Sequence, residues 1–387
     1  MFPRGVVFLY SAGLVFGFVI VSVAAASAVL TGPLGLSTVA YGALFLPFDA
    51  FAAAGAIFGA SWAHRIGLRG LLVLALLAAV GSQAALAAAS AFPGAAGAFA
   101  FVAASLVGLA AGLSAAPFNT WPQVMFPRHR DAAVVMIHTL MTLGLACGPL
   151  LVFAALRLGH FALAPLLLLV TSLAFAARTT RQDLPATPAY ADPMSPAAGP
   201  RPVWRLTFWL FVAITFLYEV SEAAFANWAV LFVEVERGLS PATASLALAA
   251  FWASLSLGRM GSSLLLRRVP AQSLWLVLPA FIAGALLLLP LAHTPSHLLA
   301  GFAFAGLACS AHYPLTMSLA SARFPGHVAW TTGMVFAANA TGAGVGSALV
   351  GWLHETRSLG DLYRLTAIAP LVALVMGFWL VARRPSA

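Results

Sequence analysis

Long apolar runs separated by short polar breaks recur along the whole chain, at 6–30, 38–63, 70–91, 95–123, 132–156, 161–177, 207–233, 241–265, 273–292, 298–322, 329–353 and 362–382. A bilayer core of about 30 Å takes about 20 helical residues to cross, so the pattern predicts twelve membrane spans. In lipid every backbone N–H and C=O needs an internal partner, which leaves helices or closed barrels. These runs are continuously apolar and lack the alternation of barrel strands. The predicted fold class is an all-α integral membrane protein.

Composition narrows the picture further. The 387 residues are 62% hydrophobic and 7% charged, whereas a soluble domain carries roughly a quarter charged residues. The formal charge of +9 raises the question of a polyanion partner, but every cation is an arginine and placement decides its meaning. With the N-terminus cytoplasmic, only Arg157, Arg237, Arg357 and Arg364 fall on the outer face and the rest on the inner one. That asymmetry follows the positive-inside rule. The basicity therefore reads as topology: no nucleic acid, membrane lipids as the surroundings, both termini in the cytoplasm, and a bacterial inner membrane as the location. The first run is too long for a signal peptide and is followed at once by another span, so it is expected to stay as the first helix. Cys147 and Cys309 both lie inside predicted helices and make no disulfide framework.

The longest polar stretch, 178–206, holds six prolines and reads as a cytoplasmic linker between a first half at 1–177 and a second at 207–387. The halves repeat one another. Phe126-Pro127-Arg128-His129 matches Phe324-Pro325-Gly326-His327, and Gly144 and Gly148 then match Gly342 and Gly346 at the same offset. Phe48, Gly55, His64 and Arg65 fall on Phe251, Gly258, Arg267 and Arg268. Parallel six-helix repeats are a transporter signature, with the solute site near the bilayer midplane between them.

These features together resemble the major facilitator superfamily, and the second half is similar to its fucose/galactose/glucose proton symporter group. The resemblance rests on Tyr218-Glu219-Val220-Ser221-Glu222 with Trp228, on Phe251-Trp252 and Gly258-Arg259, and on Asn119 and His138 to Gly144 ahead of Gly148-Pro149. It implies two parallel six-helix pseudo-repeats, alternating access, and a proton as the coupling ion with no other cofactor. It also implies a cytoplasmic gate at His64, Arg65 and Arg259. The family's loop between helices two and three carries an aspartate, where this chain has His64. Fucose-type symporters place proton-carrying carboxylates in helices one and four, whereas here helix one has none and helix four offers Asn119.

Three acids lie deep inside predicted spans: Asp49, Glu219 and Glu222. An ionisable group at the bilayer centre costs roughly 2.5–3.5 kcal/mol on insertion scales, so it normally faces a cavity or a partner. Glu219 and Glu222 are three residues apart on one helical face, the arrangement for a pair holding one proton between them. His138 is a further candidate for proton or solute contact. Asn119, Trp228, Trp252, His312 and Tyr313 are candidate cavity-lining groups, with Pro314 placed to interrupt its helix and free backbone groups.

The reading expected from these residues is proton-coupled symport of a small polar, sugar-like solute by a monomeric carrier. An exporter of amphipathic compounds is the alternative, because Gly144 and Gly148-Pro149 resemble part of an antiporter motif. Uptake of copper or another soft metal through Met136, His138 and Met141 is a weaker one. Nucleotide loops, hydrolase metal spacing and nucleophile triads do not occur, so an enzyme is not expected.

Overall fold

The computed structural model describes residues 4–185, 205–324 and 327–382, with the side chains at 4, 60, 61, 64, 130–132, 328 and 329 outside the description. Every regular element among the described residues is helical. The chain divides into two compact units, Met1–Ala191 and Asp192–Ala387. The first holds α1 (Gly5–Thr31), α2 (Thr38–Gly59), α3 (Arg65–Ala91), α4 (Pro93–Met125), α5 (Ala133–Arg157) and the shorter α6 (Leu163–Thr179). The second holds α7 (Leu206–Glu236), α8 (Pro241–Leu265), α9 (Ala271–Leu291), α10 (Pro295–Arg323), α11 (Trp330–Leu353) and α12 (Leu359–Ala382). Eleven of these are long and apolar enough to cross a membrane, and α6 is an apolar helix below that length. The protein is thus a multi-pass, all-α membrane protein. Large apolar side chains such as Leu257, Val375 and Phe378 stand exposed around the helices, where lipid is their natural solvent.

Helices α2 and α3 join in one helical stretch, Phe45–Ala91, sharply kinked at Gly67 with φ 70° and ψ 169°. A side chain at that φ would clash with its own backbone, and glycine carries none. The chain therefore turns between the two spans without leaving a loop.

In both units the same helices pair. The first unit packs α1 on α5 and the kinked α2–α3 stretch on α4 and α6; the second packs α7 on α11, α8 on α10 and α9 on α12. Lipid removes the hydrophobic drive for helix association, so close contact through small residues must supply it. A Cβ on Gly144 would lie 2.2 Å from the Leu14 carbonyl oxygen, and one on Gly342 would lie 2.5 Å from that of Phe216. Gly112 and Gly306 do the same for the other pairs, meeting the Ala52 and Phe251 carbonyls at 2.2 and 2.1 Å. The glycines that match between the sequence repeats hold matching interfaces.

The chain leaving α6 does not float away at once. Arg69 donates to the Thr180 and Leu184 carbonyls at 3.2 and 2.8 Å, and Trp121 Nε1 to that of Pro185 at 3.1 Å. Residues 180–185, expected to begin a free linker, are fastened to the first unit because these donors satisfy their carbonyls.

Candidate functional site

The second unit is organised around an interruption in α10. The helix stops at Cys309 and resumes at His312. Pro314 is the local cause, since it has no N–H to give to the carbonyl four residues earlier, that of Ser310. Arg259 of α8 supplies the missing donor, its Nε lying 3.2 Å from the Ser310 oxygen. Gly258 permits that approach, because a Cβ there would sit 2.5 Å from Ser310 Oγ. The adjacent Cys309 carbonyl accepts from the Tyr218 hydroxyl of α7 at 2.9 Å. The Cys309 and Ser310 carbonyls at the break thus meet side-chain donors of neighbouring helices, as burial in lipid demands.

Tyr218 has a second partner. Its hydroxyl oxygen also lies within hydrogen-bond range of the Glu222 carboxyl, one turn further along α7. Glu222 is buried at 8% exposure, and the Arg259 guanidinium places a positive field on it. The Tyr218 ring is held in place by stacking on His312 at 5.0 Å, and His312 stacks in turn on Trp275 at 5.9 Å. Trp275 Nε1 donates to Thr316 Oγ1 at 2.7 Å, which fixes the far end of the stack. Neither ring nitrogen of the buried His312 has a hydrogen-bond partner among the described residues.

The expected carboxylate pair takes a different form. Three residues on a helix are separated by about 60° around its axis, given 3.6 residues per turn, and here that angle sends the two acids to different neighbours. Glu219 accepts from Asn339 Nδ2 of α11, while Glu222 takes the Tyr218 hydroxyl. Each carboxylate therefore has its own hydrogen-bond donor. Trp228 also departs from expectation: it is buried at 1% exposure with its ring edge against His354, a packing position within the unit and not a wall of open space. Trp252 is half-buried against Phe251, and its indole N–H has no partner among the described residues. Tyr313 is half-buried beside the core of Phe208, Phe211 and Leu315. Arg259, expected at a gate, is exposed and bound to the α10 backbone.

In the first unit, His138 of α5 and Asn119 of α4 meet, with Nε2 and Oδ1 3.2 Å apart. The Asn119 amide nitrogen already donates to the Ala115 carbonyl at 2.8 Å, so its oxygen faces His138, and Nε2 must carry the hydrogen between them. Asp49 is 9% exposed, and its buried Oδ2 has no partner among the described residues. Arg65 is exposed at the start of α3, and the His64 side chain lies outside the described residues.

A cavity of about 530 Å³ opens between α1 and α5, lined by Tyr10, Leu14, Phe126, His129 and Met136 among others. Met136 faces this cavity, His138 faces Asn119, and Met141 packs on the hydrophobic core. Met136 lies about 140–160° around α5 from Met141 and His138, given 100° per residue, so the three soft-ligand candidates do not converge on one point.

Sequence reasoning reached Glu222, Glu219, His138 and Asn119, and it placed the interruption at Pro314. It missed Asn339, Ser310 and Cys309, whose roles come from neighbours distant in the chain. Pro314 could have pointed to Ser310 through the four-residue offset; nothing in the chain singles out Asn339. Compared with protein-family models and with curated proteins, the chain has no match.

Proposed function

We propose that this chain is a secondary active transporter of the major facilitator type. Twelve spans form two six-helix halves, with both termini in the cytoplasm of a bacterial cell, and a small polar solute moves with a proton by alternating access. The observation that carries the reading is Glu222: an acid at membrane depth, nearly enclosed, and linked through Tyr218 to the Cys309 carbonyl at the break in α10. A buried carboxyl group is expensive in lipid and marks a proton or ion path. The same reading treats the protein as a carrier and not an enzyme, with the proton as its only coupling partner.

The α1–α5 cavity supports a second reading. Its lining is almost wholly apolar, which suits an amphipathic cargo and export better than a sugar.

Thermal-shift screening against hexoses, amino acids and amphipathic cations identifies the solute class, since a ligand of the native state raises its stability. With that solute in proteoliposomes, Glu222→Gln should catalyse exchange at equal concentrations and fail to accumulate solute under an imposed pH gradient. Normal uphill accumulation by the variant would overturn the proton role of Glu222, and stabilisation by amphipathic cations alone would favour the export reading.

A further inference from the structure

The Tyr218 hydroxyl stands between two acceptors and has one proton to give. Its oxygen lies within hydrogen-bond range of both the Glu222 carboxyl and the Cys309 carbonyl. The phenol ring itself is clamped, buried at 1% exposure and stacked on His312. Only the O–H can reorient.

We propose that this hydroxyl is a toggle that converts protonation of Glu222 into closing or opening of the α10 break, a role that rests on the proton-coupled reading above. When Glu222 takes a proton from water, its own O–H donates to the Tyr218 oxygen, and the Tyr218 O–H turns to the Cys309 carbonyl. No covalent bond of Tyr218 breaks; the gained proton stays on the carboxyl. The Cys309 carbonyl is then satisfied from the side and the helix stays interrupted. When Glu222 loses the proton to water, the carboxylate is the stronger acceptor and recovers the Tyr218 O–H. The Cys309 carbonyl then needs another donor, and the Tyr313 N–H four residues ahead is the one a regular helix provides. Closure is confined to that bond, because Pro314 has no N–H for Ser310 and Arg259 retains that carbonyl.

Other groups around this pair could respond to pH. Glu219 on α7 is bonded to Asn339 of α11, and Arg259 faces from α8. Cys309, His312 and Tyr313 face from α10, and α9 presents Trp275 to His312. His312 is the group able to imitate a Glu222 response, so the test must separate them.

Hydrogen–deuterium exchange of the purified full-length protein, read on peptides covering 309–316 and corrected for intrinsic rates, does so without any solute. In the native protein the Tyr313 amide should exchange faster at acidic than at alkaline pH, by up to about tenfold, the factor one net hydrogen bond is worth. Tyr218→Phe keeps the ring stack and removes the hydroxyl, so it should show the slow exchange at both pH values. Glu222→Gln carries a permanent N–H donor toward Tyr218 and should show the fast exchange at both. Opposite locking by the two variants supports the toggle. A pH response that survives in either variant assigns the effect to His312 or another group and overturns it, as does the same exchange level in both. Should Tyr218→Phe fail to fold, Glu222→Gln alone decides between a locked and a responsive helix. A toggle that passes while Glu222→Gln still accumulates solute would refute the transport reading and not the toggle.

Discussion

The bond between Arg259 and Ser310 allows a sharp energetic test. Ser310 is buried at 2% exposure and its carbonyl has lost its helical donor to Pro314. Arg259→Met keeps the aliphatic stem and removes the donor, leaving a buried acceptor unsatisfied at a cost of about 1–3 kcal/mol. For a unit of this size, 1 kcal/mol moves the melting temperature by about 2–4 °C, so a drop of roughly 4–8 °C is expected at the middle of that range. Pro314→Ala restores an N–H that can reach the Ser310 oxygen. In that background Arg259→Met should therefore cost less than about 1 kcal/mol, giving a coupling of about 1 kcal/mol or more in the double-mutant cycle. The cycle is best run with Glu222→Gln in place, which removes the attraction between Arg259 and the carboxylate from the comparison. Thermal unfolding in detergent, followed by tryptophan fluorescence, provides the readout. Equal losses in the two backgrounds would show that Arg259 does not serve the Ser310 carbonyl.

Two further outcomes follow from packing and from the docked chain after α6. Gly144→Ala and Gly342→Ala should each destabilise by about 1–3 kcal/mol through overpacking, because the new methyl meets a backbone carbonyl at 2.2 and 2.5 Å. Gly284→Ala, with nothing within 4 Å of its new methyl, should be neutral or stabilise by up to about 1 kcal/mol; equal melting temperatures for all three variants would contradict the close-contact account. Arg69→Met should release residues 180–185, so that limited trypsin digestion cuts after Arg181 about tenfold faster, the factor for roughly 1.4 kcal/mol of lost docking. Unchanged cleavage would mean that the Trp121 bond and Leu184 burial hold the segment alone.

The membrane class was legible because it depends on a property summed over about 20 residues at a time, and a bilayer tests that sum directly. The glycine matches between the repeats were legible too, since a backbone contact under 3 Å tolerates only one residue type. The turn at Gly67 was less so. Nothing in the run from Phe45 to Ala91 distinguishes a break by positive φ from an ordinary loop, and the structure shows the two helices meeting end to end.

For the site, the chain itself determined which groups are costly in lipid: Asp49, Glu219, Glu222, His138 and the proline of α10. It could not determine their partners, because a cost is a property of one residue and a hydrogen bond is a property of two. Glu219 and Glu222 look like a pair along the helix, yet the angle between them carries one to Asn339 and the other to Tyr218. Trp228 is expected to line a cavity and is enclosed beside His354. Arg259 is expected at a gate and serves a carbonyl that Pro314 stranded, 51 residues away in sequence. The outcomes for Glu219, Trp228 and Arg259 rest on which helix stands beside which, and that is decided by backbone approach at a few glycines, a distance that only the folded chain sets.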